Sequence, residues 1–134
     1  MSAKEIVKAF YDLDLAKDKE ILNHFHSDCM LKWHSSKGYS EFDLDGVKNM
    51  LEGVTQSYHS FKYRLSHLLE EENMVTARYT VYSTTIEQPD QEEALAHFIS
   101  IWEVKDGKLY RGYEISQLAD DSSDSLNSYA EINI

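Results

Sequence analysis

Between Ala3 and Phe25 the apolar residues Ile6, Val7, Phe10 and Leu13 recur three and four apart, and Ile21, Leu22 and Phe25 resume the same spacing. Charged residues fill the intervening positions, which is the pattern of an amphipathic helix. A break over residues 14–18, with Asp18 able to cap a new helical segment, predicts a helix, a tight joint and a shorter helix starting at Lys19 and Glu20. Cys29, Leu31 and Trp33 then alternate with Met30, Lys32 and His34, predicting a short strand with its aromatic face buried and a turn over residues 35–38. Asp45 is placed to cap a further helix carrying Val47, Met50, Leu51, Val54 and Tyr58 on one side, ending before Ser60.

From Phe61 onward the period changes to two. Phe61, Tyr63, Leu65, His67 and Leu69 alternate with Lys62, Arg64, Ser66 and Leu68, and residues 70–73 are polar enough for a hairpin turn. A second run sets Val75, Ala77, Tyr79, Val81 and Ser83 against Met74, Thr76, Arg78, Thr80 and Tyr82. Past Pro89, residues 94–104 carry Phe98 and Trp102 on one face and Ile99 and Ile101 on the other, so this strand lies mid-sheet or at an oligomer interface. Asp106 and Gly107 turn the chain into a last strand over residues 108–118. The fold class is therefore α+β, with N-terminal helices packed on a curved, mainly antiparallel sheet. Residues 1–119 form one domain, and 120–134, acidic and serine-rich with no basic residue, form a flexible, solvated tail.

Composition narrows the function classes. A chain of 134 residues with 42% hydrophobic residues builds one core. The formal net charge of -11, with Lys and Arg scattered, argues against nucleic acid and against anionic membrane surfaces as partners. No run approaches the roughly 20 apolar residues of a membrane helix, the first residues lack the apolar stretch of a secretory signal, and the single Cys29 fits a reducing compartment. These point to a cytoplasmic protein. His24, His26 and Cys29 lack the spacing of a known zinc site, and there is no phosphate-binding glycine loop or nucleophile elbow, so neither metal nor cofactor is expected.

The order of elements over residues 3–119 resembles the nuclear transport factor 2-like superfamily, which includes ketosteroid isomerases, scytalone dehydratase and polyketide cyclases of the SnoaL type. The residues carrying the resemblance are His26-Ser27-Asp28-Cys29 leading into the first strand, Asp45-Gly46 opening the third helix, and the segment from Trp102 to Leu109 across the final hairpin. It implies a cone-shaped, cystatin-like roll, an apolar pocket between helices and concave sheet, and a homodimer packed through the sheet's other face. Ketosteroid isomerases move a proton with a strand aspartate, assisted by a helix-one tyrosine and a second, protonated aspartate. Aligned by turns, those positions fall on or beside Phe10, Trp33 and Ser100, so the triad is missing; Tyr11 or His34 would restore part of it only through a one-residue shift of register. Scytalone dehydratase is similar in its helix-one Tyr11-Asp12 pair, but its histidines have no match, and its reaction is not carried over.

With the Trp33 face inward, the same alignment directs Tyr63, Leu65 and His67, then Ala77, Tyr79 and Val81, then Phe98 and Ser100, then Gly112, Glu114 and Ser116 toward the pocket. Such a lining suits a small apolar or polycyclic ligand. Glu114 is the candidate acid-base group, because covering helices would desolvate a mid-strand carboxylate; Tyr63 and Tyr79 supply hydroxyls, Trp33 and Phe98 the walls, and Ser100 a further contact. A carboxylate at the pocket mouth, or one paired with Arg111 or Arg78, is the plainer alternative. His97 falls on the opposite face from Phe98 and is expected at the dimer interface, turning inward only through a slip of register. The expected function is a SnoaL-like pocket protein acting as a cofactor-independent isomerase, dehydratase or cyclase; a non-catalytic ligand carrier and a protein-interaction module of the same fold stay open.

Overall fold

A computed structural model describes all 134 residues. Helix α1, Ala3–Tyr11, is started by a capping box: the Ser2 hydroxyl accepts from the Glu5 N–H at 3.1 Å and the Glu5 carboxylate accepts from the Ser2 N–H at 3.4 Å. Val7, Phe10 and Tyr11 form its buried face. The expected second helix is not there. The Asp18 carboxylate turns back to accept from the Asp14 N–H at 2.7 Å, and one Asp14 oxygen accepts from the Ala16 and Phe61 N–H groups, both at 2.9 Å. These bonds pin a compact loop to the sheet. Glu20, at φ 61°, then allows only a short 3-10 turn over Ile21–His24.

Strand β1, Phe25–Ser35, starts earlier than its alternation suggested and folds back on a short β2, Gly38–Phe42, which the hydrophobic pattern does not single out. Helix α2, Leu44–Ser57, is capped by Asp43, whose carboxylate accepts from the Gly46 N–H at 2.9 Å; Asp45 lies in its first turn. The remaining strands are β3, Tyr58–Glu71; β4, Met74–Thr85; β5, Glu93–Lys105; and β6, Lys108–Leu118. They form an antiparallel meander, and β6 then pairs parallel with β1, giving one 6-stranded mixed sheet in the order β2-β1-β6-β5-β4-β3. The last hairpin uses Asp106 and Gly107 at φ 54° and 74°, the left-handed pair that matches strand twist. No helix is long and apolar enough to cross a membrane.

Both helices pack on the concave face, where Val7, Val47, Leu68, Trp102 and Leu109 are fully enclosed or nearly so. A bulge between Leu65 and His67 reverses the parity of β3: Leu65 pairs with Tyr79, His67 with Arg78 and Leu68 with Ala77. Leu68 therefore takes the inward position, and His67, expected in the pocket, is turned to the outer face. On that face Ile99, Ile101, Tyr113 and Ile115 are 43%, 39%, 43% and 61% exposed, so β5 is mid-sheet but covered on one side only.

Residues 120–134 contain a short helix α3, Ser123–Ser128, whose successor Tyr129 stacks on His97 at 4.3 Å with the Arg78 guanidinium 3.5 Å over the same ring. His97 thus lies on the outer face, as its parity indicated, but the chain's own C-terminal segment covers it where a second subunit was expected.

Trp102 and Gly112 face each other across β5 and β6. A Cβ at Gly112 would lie 2.5 Å from the Trp102 ring, which is 2% exposed and walled in. Gly112→Ala is expected to destabilise the domain by about 1–3 kcal/mol, the range for overpacking a filled core. Urea unfolding measures this; an unchanged midpoint would show that the indole can move aside.

Candidate functional site

The concave sheet, α2 and the β1–β2 turn enclose a cavity of about 380 Å³. Trp33, Met50, Val54, Phe61, Tyr63, Val81, Leu95 and Phe98 make its walls apolar; Glu114 and Lys37 are the charged groups on its lining. A larger depression of about 500 Å³ between Met1, Ile6, Glu72 and Asp106 is a shallow surface feature without such walls. The apolar enclosure follows from strand parity, since positions two apart on β3, β4, β5 and β6 share the concave face.

Aromatic rings organise one side. Tyr79 and Phe98, directly opposite on β4 and β5, stack with centroids 5.2 Å apart and planes 7° from parallel. Trp33 reaches across β6 to stack on Phe98 at 6.1 Å, and its indole N–H donates to the Ser116 hydroxyl at 2.9 Å. That bond satisfies the one polar atom of a ring otherwise set in apolar surroundings.

Glu114 extends from β6 opposite Ser100. Its Oε2 accepts from the Tyr79 hydroxyl and from the Ser100 hydroxyl, each at 2.7 Å, and those two hydroxyls are 2.8 Å apart. Oε1 has no partner within the chain and is not sealed off, so it is the oxygen left to the cavity. Burial pushes the carboxyl above the ordinary glutamate range, and the Ser100 and Tyr79 hydrogen bonds pull partly the other way. Neither arginine relieves it: Arg78 lies over Tyr129, and Arg111 over Tyr110. Burial, then the Glu114 charge, also pushes the Tyr63 and Tyr79 hydroxyls well above the usual phenol range.

The structure brings Trp33, Tyr63, Tyr79, Phe98 and Glu114 around one cavity. Ser100 is displaced from the lining: it is fully buried beneath Glu114 and meets the carboxylate instead. Tyr79 likewise spends its hydroxyl on Glu114, whereas the Tyr63 hydroxyl has no partner in the chain and borders the cavity. Tyr11, set aside in the sequence alignment as one residue off the inward position at Phe10, is in fact enclosed. Both Phe10 and Tyr11 point inward, and the Tyr11 hydroxyl contacts that of Tyr79 at 3.4 Å while accepting from the Trp102 indole N–H at 3.0 Å. The overlooked signal was its place at the last turn of α1, where two adjacent residues can both be enclosed by a curved sheet.

The family model described as a SnoaL-like domain matches residues 7–112. Among solved structures, a phenazine biosynthesis-related protein from Pseudomonas aeruginosa superposes with a TM-score of 0.68 at 13% identity, covering 98% of this chain and 86% of that one. A protein described as a SnoaL-like polyketide cyclase from Shewanella denitrificans gives 0.66 at 6% identity, covering 95% of each chain. TerC, crystallised with polyporic acid, gives 0.59 at 20% identity, covering 96% of this chain and 98% of that one. Identities this low speak to the fold alone. No curated protein matches the sequence.

A carboxyl raised in the folded state binds its proton more tightly there than in the unfolded chain. Its contribution to stability is fully present below the unfolded glutamate value, about 4.3, and is lost as pH rises through the folded value. Urea unfolding at stepped pH from about 4 upward should show wild type losing stability relative to Glu114→Gln, the difference levelling once Glu114 has ionised. A difference independent of pH would mean that the carboxyl is not desolvated.

Proposed function

The chain belongs to the SnoaL-like domain family, and on that premise we propose that it binds a small apolar or polycyclic molecule and moves a proton on it without a cofactor, as an isomerase, dehydratase or cyclase does. The observation that carries this reading is the state of Glu114: an acid inside an apolar cavity, one oxygen held by two hydroxyls and the other turned to the cavity. A carboxylate raised by desolvation is a stronger base than one in water and can return the proton it takes. In this reading Glu114 removes a proton from an activated C–H of the bound molecule and delivers it to a second atom, so the enzyme ends unchanged. Trp33 and Phe98 hold the ligand by burial, and Tyr63 offers it a hydroxyl. Tyr79 and Ser100 serve the carboxylate. The names of the structural neighbours, a polyketide cyclase and a phenazine-biosynthesis protein, support a ring-bearing ligand.

The same proposal includes a homodimer through the outer sheet face. Ile99, Ile101, Tyr113 and Ile115 sit on neighbouring positions of β5 and β6 and leave a contiguous apolar patch, the kind of surface a monomer rarely presents without use.

Native mass spectrometry of the purified protein identifies the ligand that travels with it. With that molecule, Glu114→Gln should keep binding, followed by quenching of Trp33 fluorescence, and lose turnover by the factor of about 100 or more typical of a missing acid-base group. Full turnover in the variant removes Glu114 from the reaction, and binding without any conversion by wild type makes the protein a carrier. Ile101→Asp should shift the sedimentation coefficient to that of a single chain; a wild type that already sediments as one chain ends the dimer proposal.

A further inference from the structure

Beneath the cavity, four side chains link into a line that reaches from the core to the proposed catalytic carboxylate. Trp102 on β5 donates to Tyr11 on α1 at 3.0 Å, Tyr11 reaches Tyr79 on β4 at 3.4 Å, and Tyr79 donates to Glu114 on β6 at 2.7 Å. Tyr11 and Trp102 are each 2% exposed, and neither lines the cavity, so no ligand contact explains their polar atoms.

The line has a direction, and Trp102 sets it. An indole N–H can only donate. The Tyr11 oxygen must therefore accept from it, and the acceptors within reach of the Tyr11 proton, the Tyr79 hydroxyl at 3.4 Å and the Ser100 hydroxyl beside it, both donate in turn to Glu114. Tyr79, already accepting, directs its own proton outward to Glu114, where Ser100 donates to the same atom. An oxygen that receives two hydroxyl protons at 2.7 Å has no room for a third.

We propose that Trp102 and Tyr11 are positioning residues that fix which oxygen of Glu114 exchanges protons: the chain of donors keeps Oε2 as an acceptor and confines the exchangeable proton to Oε1, which faces the cavity. The inference rests on Glu114 being the acid-base group. Each bond in such a series polarises the next, so the far end of the line acts on the carboxylate it never touches. The groups that face Glu114 are Tyr11 from α1, Tyr63 from β3, Tyr79 from β4 and Ser100 from β5, with Lys37 at the mouth from the β1–β2 turn; no cation enters the line itself.

The test reads the ligand-free protein. With glutamate labelled at the carboxyl carbon, the Glu114 resonance is the one that Glu114→Gln removes, and its titration is followed by NMR. Tyr11→Phe keeps the ring and deletes the link; it should raise the Glu114 midpoint by about half a pH unit, against about one unit for Tyr79→Phe, because donors to the charged form hold the midpoint down. Trp102→Phe should move it in the same direction as Tyr11→Phe. In wild type, the Trp102 indole N–H resonance should follow the Glu114 titration and cease to do so in Tyr11→Phe, which tests Trp102 even if its own replacement does not fold. A Glu114 midpoint unchanged in Tyr11→Phe, or an indole signal indifferent to Glu114 in wild type, overturns the proposal. Neither readout uses a substrate, so an absence of turnover would count only against the reaction assigned to Glu114.

Discussion

A carboxylate cannot enter an apolar space uncompensated, and the interior of this domain is arranged around that constraint. Taking an ionised acid out of water costs several kcal/mol unless partners replace the water. The partners here are hydroxyls rather than a cation: Ser100 and Tyr79 meet one oxygen of Glu114, and no arginine or lysine contacts it. Hydroxyls compensate only in part, so the group is left with a raised proton affinity. A salt bridge would have stabilised the same residue more fully and made it inert.

The scaffold that permits this is set by a small number of close fits. Trp102 can lie flat in the core only because Gly112, its cross-strand neighbour, has no side chain. Once the indole is there, its N–H needs an acceptor, and Tyr11 supplies it from the last turn of α1. A packing decision between two strands thus becomes an electrostatic one at the far side of the cavity. The hydrogen bonds of Asp14 and Asp18 hold the loop after α1 against the start of β3 and so keep Tyr11 at its station.

Much of this was legible in the chain. Period-two runs located β3 to β6, and the inward placement of Glu114 came from the family alignment with the Trp33 face taken as inward, which strand parity then carried across the sheet. What escaped has specific causes. The second helix failed because Asp18 could cap in either direction, and only the tertiary contact with Phe61 favours the backward one. His67 was misdirected because a bulge leaves no mark in an alternating pattern when Ser66, the extra residue, is small enough to be buried on either side. Tyr11 was set aside because alignment to a known triad asked which single residue of a pair points inward, and the curved sheet encloses both. Residues 120–134 read as solvated sequence because nothing local marks their contacts, in which Tyr129 meets His97 and Arg78 on the outer face and the Asn133 N–H reaches the Ser66 carbonyl.

The bulge in β3 has an effect at the boundary of the sheet as well. β3 is an outermost strand, and a long regular edge invites pairing with another molecule. At the bulge the ladder is interrupted, the Ser66 carbonyl accepts from the Asn133 N–H at 2.7 Å, and the Arg78 side chain closes on the Ser66 hydroxyl at 3.0 Å. The opposite edge, β2, is only 5 residues long. Both margins of the sheet are thereby blunted, one by irregularity and a returning terminus, the other by brevity, which guards this fourteen-residue strand against amyloid-like growth along its free side.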